Sequence, residues 1–214
     1  MKNESKERNN LPQWLKWARE IQALCQTGLT YSKSDYETQR YHRLIEIAAE
    51  IVQLYTGLEK EPLVKNFLSQ PGYATVKVDV RGAVIRNKKI LLVQERFDKR
   101  WCMPGGWADV GEKPSETVIR EVWEESGFIV KPYKVIGVYD ANREGIPLSF
   151  YHAYKIVFLC EIIGGEARSS EETMAVDFFS FDDLPILSSA RTNEKHLDEV
   201  VAHLRDHNRM TAFD

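Results

Sequence analysis

Residues 106–128 read GWADVGEKPSETVIREVWEESGF, and the second half of this stretch decides how the rest of the chain is read. Proline suits the first position of a helix and glycine the position just past its end, so the pattern predicts a helix from near Pro114 to Gly127. On that helix Glu121, Glu124 and Glu125 stand at i, i+3 and i+4, which puts three carboxylates on one face. Like charges so placed repel and destabilise the helix. Two readings are open. The glutamates are ordinary solvated surface, or a hard divalent cation compensates the repulsion, since clustered carboxylates are what Mg²⁺ and Mn²⁺ prefer.

The flanks bear on the choice. Pro104-Gly105-Gly106 predicts a tight turn in which backbone carbonyls can approach a metal. Glu112 lies eight residues before Arg120 and is placed to ion-pair with it. Val118, Ile119, Val122 and Phe128 offer apolar contacts that dock the helix. With these in place the stretch resembles the Nudix box. The matching positions are Gly106, Glu112, Arg120, Glu121, Val122, Glu124, Glu125, Gly127 and Phe128, without departure. Seven of them are fixed in type; at usages of about 5–7% each, chance gives such a match on the order of once in a million over this length.

The resemblance implies a fold and a division of labour. The fold is an α/β one, a Nudix α/β/α sandwich with a mixed sheet. Glu121, Glu124 and Glu125 form the group that binds metal and supplies a base, with the carbonyl of Gly105 as a further ligand. Arg120 and Glu112 hold the loop and orient the carboxylates. The cofactor implied is Mg²⁺, with Mn²⁺ as an alternative. Bridging cations neutralise the charge that builds on a diphosphate when water attacks it, and a carboxylate takes the proton from that water. Many members add a carboxylate from a distant loop. Glu171 and Glu172 are the first candidates and Asp140 a weaker one; solvated loop residues are the alternative.

Before the box, residues 11–57 read as a helical hairpin. Leu11, Trp14, Trp17/Ala18, Ile21 and Leu24/Cys25 recur at spacings of three and four, and Gly28 is expected to stop the pattern. A second helix follows, N-capped by Ser34 or Asp35, with Leu44, Ile47/Ala48, Ile51 and Leu54/Tyr55 as its stripe and Gly57 at its end. The Trp14/Trp17 stripe is a packing seam between helices or a ligand platform. A further helical turn is expected through Pro62–Leu68, and Pro71-Gly72 marks a boundary. The expected organisation is a small all-α domain over residues 1–66 and a Nudix domain over 67–214. The strands expected in the second are Val76–Ile85, Ile90–Val93, Val135–Tyr139, Tyr154–Cys160 and Met174–Phe179, with a turn at Asn87–Lys89. A last helix should carry Leu197, Val200/Val201 and Leu204 on one face. The hairpin's expected role is homodimerisation.

Composition narrows the partners. The net charge of −3 gives no global basic field for nucleic acid. Cys25, Cys102 and Cys160 are odd in number and lack CxxC spacing, so neither a disulfide framework nor a zinc site is supported; they read as buried, reduced thiols. The polar start of the chain carries no signal-peptide core, and no apolar run reaches the roughly 20 residues of a membrane span. The expectation is a cytoplasmic protein without a membrane partner.

The box names the bond and not the substrate. The hairpin, the run Val78–Gly82, the run Met103–Gly111, Tyr139-Asp140 and Phe158–Gly165 resemble a bacterial Nudix group with an N-terminal helical domain, described as acting on ADP-ribose or CDP-choline. Pro132 and Pro147 do not fall where one ADP-ribose subgroup carries its proline, so a CDP-alcohol such as CDP-choline is preferred, with ADP-ribose close behind. Arg81 is a candidate for gripping a phosphate, or pairs with Asp79. Trp107 and Tyr139 are candidates for stacking on a base, or are core. His152 is a weak candidate for the same cleft. Two rival functions remain open. One is a nucleotide sensor without hydrolysis; an intact box and the hairpin's mixed charges speak against it. The other is an RNA-directed hydrolase that removes caps or trims 3′ ends.

Overall fold

The computed structural model describes residues 12–69, 72–141 and 152–214. The chain divides after Val76 into two compact units. The first holds three helices: α1 (Gln13–Tyr31), α2 (Asp35–Thr56) and α3 (Lys60–Leu68). Ser34 caps α2 by accepting from the Glu37 N–H at 3.2 Å. Gly57 closes it in the left-handed region, φ 72°, which a residue without a Cβ adopts freely. Leu11 and Pro71, which figured in the sequence reading, lie outside the described residues.

Two expectations for this unit are corrected. Gly28 does not stop α1, which runs on to Tyr31. A Cβ at Gly28 would stand 2.4 Å from the Tyr41 ring, so the glycine serves close helix approach rather than termination. The packed face of α2 is Ile45, Ala48, Ala49 and Val52. The larger Leu44, Leu54 and Tyr55 are exposed. The two alanines, facing Ala18 and Cys25 in one cluster, let the backbones come close, and that selects the smaller residues for the seam. Trp14 packs on this cluster and stacks on Tyr55 at 5.0 Å, whereas Trp17 is 55% exposed.

The second unit is a mixed sheet between two helices. Its strands are β1 (Lys77–Arg86), β2 (Lys89–Glu95), β3 (Trp101–Cys102), β4 (Phe128–Asp140), β5 (Ala153–Gly165), β6 (Thr173–Ser180) and β7 (Ala212–Phe213); its helices are α4 (Pro114–Ser126) and α5 (Glu194–Arg205). The order is β3-β2-β1-β5-β4-β7, with β6 paired to β2. β1 runs parallel to β5, and β4 antiparallel to it. Asn87 and Lys88 both take positive φ, as a two-residue hairpin between β1 and β2 requires.

Side-chain alternation divides each strand between two cores. Val80, Val84, Leu91, Phe158 and Cys160 meet Val118 and Val122 of α4. Ala83, Ile90, Leu92, Val157 and Leu159 meet Leu197 and Val200 of α5. Each helix therefore covers one face, giving the α/β/α sandwich. Among the described residues, no helix is long and apolar enough to cross a membrane.

A charged network is buried where β1 pairs with β5. Asp79 lies opposite Lys155 in register. Its carboxylate takes Arg81 Nη2 at 2.8 Å and Lys155 Nζ at 3.1 Å, and all three residues are buried. Asp79 is held below the usual carboxylate range: burial opposes its charge, and Arg81 and Lys155 outweigh burial. Asp79→Asn would leave two buried cations without a counter-charge. The expected loss is about 3–5 kcal/mol of stability, measured by urea unfolding; a loss within about 0.5 kcal/mol would contradict this account.

Candidate active site

The cleft is built on the pairing of the 104–108 segment with β1. The Val80 N–H donates to the Gly106 carbonyl at 2.9 Å, Gly82 N–H to Pro104 O at 2.8 Å, and Ala108 N–H to Val78 O at 2.9 Å. The segment is thus strand-like, an added edge to β1, where a tight turn was expected. Gly105, at φ 146°, lies so close to β1 that a Cβ there would meet the Val80 carbonyl oxygen at 2.0 Å. Only glycine fits. Its N–H donates to Glu125 Oε2 at 2.8 Å, which ties the segment to α4.

α4 begins and ends where Pro114 and Gly127 predict. Val118 and Val122 dock one side on the sheet, and the carboxylates lie on the side facing the cleft. Arg120 gathers them. Its Nε and Nη2 meet both oxygens of Glu112 at 2.8 and 2.9 Å, and its Nη1 reaches Glu121 at 2.8 Å and Glu124 at 3.0 Å. Bonding to Arg120 pulls the Glu112 carboxyl down to about 2. Burial raises Glu121 above its ordinary value despite the same arginine. Glu125 is buried, and burial, with Glu95 and Glu121 adding, pushes it up to about 8 against the pull of Arg81 and the Gly105 N–H.

A cleft of about 610 Å³ opens beside these groups. Seven acidic residues line it (Glu95, Asp109, Glu121, Glu124, Glu125, Glu171, Glu172) against four arginines (Arg81, Arg120, Arg168, Arg191), a formal balance of −3. A surplus of hard oxygen donors, one of them buried at the wall of the cleft, suits a divalent cation in donor chemistry. Among the described residues no three acidic, histidine or cysteine side chains are already drawn together around one point. Arg120 holds Glu121 and Glu124, and the Gly105 N–H holds Glu125.

The structure brings together most of the residues singled out in the sequence. Gly105, Arg120, Glu121, Glu124, Glu125, Arg81, Trp107 and Glu171 line one cleft, and Glu112 stands behind Arg120. Arg81 reaches the wall with its guanidinium already engaged by Asp79 and the Met103 carbonyl. Tyr139 and Asp140 lie elsewhere. They line a small separate hollow with Lys155 and His196, at the far end of β4. His152 goes with them, 3.3 Å from Asp140. Cys102 is fully buried, donates to Glu95 at 3.2 Å and is raised by burial, as an inert thiol would be.

Sequence reasoning missed Glu95, Trp123, Arg168 and Arg191. Glu95 carried a usable signal: it follows Leu91 and Val93 at period two, so it extends the buried α4-facing side of β2 as a charge. Arg191 pairs with it at 3.0 Å. Arg168 lies over the Trp123 ring at 5.3 Å, a cation–π contact between a loop and α4 that no local periodicity encodes.

Comparison with known proteins follows the same division of the chain. Residues 12–67 match a family described as "UDP-X-like, N-terminal oligomerisation domain", and residues 76–204 match the NUDIX domain. The chain is 37% identical over 201 residues to the Bacillus subtilis (strain 168) protein named "Putative ADP-ribose pyrophosphatase YjhB", covering 94% of this chain and 97% of that one. The crystal structure of an ADP-ribose pyrophosphatase from Streptococcus suis 89-1591 is 36% identical at TM-score 0.60, covering 65% of this chain and 100% of that one. The crystal structure of UDP-X diphosphatase is 29% identical at TM-score 0.61, covering 94% and 98%.

The hollow beside Tyr139 offers a check on the electrostatics. His196 Nδ1 accepts the Asn193 N–H at 3.2 Å, which completes the cap of α5. Burial first, then Lys155 and Arg81, depress His196 from 6.5 to about 3. The folded chain therefore binds fewer protons than the unfolded one across that window. Stability fully present above pH 6.5 is lost as pH falls towards 3, by up to about 1.4 kcal/mol per unit. His196→Gln should flatten the slope of Tm against pH between those limits; an unaltered slope would place the pH dependence elsewhere.

Proposed function

The chain belongs to the Nudix family of pyrophosphohydrolases, and on that premise we propose that it hydrolyses the diphosphate linkage of a nucleoside diphosphate joined to a second moiety, with ADP-ribose as the first substrate to try. The observation that carries this reading is the cleft itself, where Glu121, Glu124, Glu125 and Arg120 face Glu171, Arg168 and Arg191 across one opening. The names of two relatives favour ADP-ribose, that of a third favours a UDP-linked compound, and the sequence-based preference for CDP-choline takes its place beside them.

Nudix hydrolases generally use divalent metal ions, typically Mg²⁺. Glu121, Glu124, Glu125 and the carbonyl of Gly105 are the groups that would hold one. A bound cation neutralises the diphosphate's developing charge and lowers the pKa of water. The remaining work falls to the chain. Arg120 keeps Glu121 and Glu124 in place while the site is loaded. Arg81, with its donors engaged, contributes a buried positive charge near Glu125 rather than a free fork for phosphate. Arg168 and Arg191 meet the anionic substrate, and Trp107 and Trp123, about half exposed at the mouth, offer faces to a base. Glu171 or Glu172 takes the proton from water. Tyr139 and Asp140 have no part in this reading.

With Mg²⁺, release of a nucleoside monophosphate from ADP-ribose is expected at a higher kcat/KM than from a UDP-sugar or CDP-choline. Glu124→Gln should fold normally and lose roughly 10²–10⁴-fold in kcat. No turnover of any diphosphate-linked nucleotide, or a fully active Glu124→Gln, would refute the assignment.

The N-terminal unit is proposed to pair two copies. Trp17, Leu24 and Tyr31, spaced by seven, form one exposed stripe along α1, and Leu44, Tyr55 and Leu58 form another along and just past α2. Light scattering should give twice the 24.8 kDa chain mass, and Trp17→Glu with Leu24→Glu should halve it; a wild-type mass of one chain rules the pairing out.

A further inference from the structure

We propose that Arg96 and Thr173 are positioning residues of the hydrolase site, which clamp the 170–173 loop from its two sides and so hold Glu171 and Glu172 opposite the carboxylates of α4. This rests on reading the cleft as the hydrolase site. Neither residue belongs to the box, and neither carries a charge into the chemistry.

The clamp starts from an irregularity in the sheet. β6 pairs with β2 in regular antiparallel register from Lys89↔Ser180 to Gln94↔Ala175, and then Glu95 faces Thr173, so Met174 is an extra residue. Such a bulge reverses which side chains face which way. Phe178 and Val176 pack on the α4 side of the sheet. Regular alternation would send Met174 after them and turn Thr173 away. With the bulge, Met174 is 44% exposed and Thr173 is fully buried on the α4 side. There the Thr173 hydroxyl donates to the backbone carbonyl of Glu125 at 2.8 Å. The C-terminal turn of α4 and the end of the loop, where β6 begins, are thereby joined by one short bond.

Arg96 grips the loop from outside. Its Nε donates to the Glu171 carbonyl at 2.8 Å, its Nη2 to Ser170 O at 3.0 Å and Thr173 O at 3.3 Å, and its backbone N–H to Glu172 O at 3.0 Å. The loop is stiff in itself, because Ser170 Oγ accepts the N–H groups of Glu172 and Thr173, each at 3.1 Å. A planar fork meets three converging carbonyls in a way that a lysine cannot. Fixing the main chain at four consecutive residues leaves the side chains of Glu171 and Glu172 as the loop's carboxylates in the cleft, which both line.

If the clamp acts through those carboxylates, its loss must be non-additive with theirs. The test is a cycle on the full chain of Arg96→Ala, Glu171→Gln with Glu172→Gln, and all three together. Arg96→Ala should lower kcat about tenfold with a smaller change in substrate KM, and should change kcat by less than about twofold once both glutamates are gone. Thr173→Val should reproduce the loss and Thr173→Ser, which keeps the hydroxyl, should restore most of it; this pair decides the matter if Arg96→Ala does not fold. Equal losses of kcat in both backgrounds would overturn the proposal. So would full activity of the glutamine pair, in which case Glu124→Gln still decides independently whether the cleft is the hydrolase site.

Discussion

Arg120 is the residue on which the active cleft rests. A helix with Glu121, Glu124 and Glu125 on one face is folded against its own repulsion, and a single guanidinium removes much of that strain by spanning Glu112, Glu121 and Glu124. The arrangement also sets distances. Because Glu112 occupies two of the arginine's donors, the third is aimed along the helix at Glu121 and Glu124, and the carboxylates are ordered before any ligand arrives. Preorganisation of this kind spares the binding step the entropy of collecting flexible glutamates.

The buried Glu125 complements this surface order. It is anchored not by an arginine but by a backbone N–H from a glycine that is itself pressed against β1. The chain Val80–Gly105–Glu125–Thr173 therefore runs from the centre of the sheet to the far loop through short contacts of unlike kinds: a steric exclusion, an amide-to-carboxyl bond and a hydroxyl-to-carbonyl bond. Glu125 is held at both ends, Gly105 bonding its carboxyl and Thr173 its main-chain carbonyl.

Much of this was legible in the residues, for identifiable reasons. The limits of α4 follow from Pro114 and Gly127 because both act locally, through φ and the missing amide or Cβ. Five of the seven strands followed from their apolar runs, the two-residue β3 and β7 leaving no pattern, and the three box glutamates from helical spacing. What failed had its cause in tertiary contact. Gly28 reads as a stop until Tyr41 is seen beside it. The α2 stripe held Ala48 and Ile51 as read, but its larger members, Leu44, Leu54 and Tyr55, are exposed and Ile45, Ala49 and Val52 are buried instead, because close packing prefers a face that apolar size does not mark. Tyr139 and Asp140 were grouped with the cleft because nothing in a sequence says at which end of β4 the cleft lies. Glu95, Arg168 and Arg191 arrive from three separate segments, and only Glu95 left a trace in its strand's parity.

The extra residue at Met174 has a consequence for how this chain can vary over time. It separates two stretches with different tolerance to insertion and deletion. Upstream of Ser170 the loop can lengthen or shorten without changing which way Thr173 points. Between Thr173 and Val176 a change of a single residue reverses that direction and turns the buried hydroxyl outward, while a change of two restores it. Changes of length are thus free on one side of Ser170 and bound to even steps on the other.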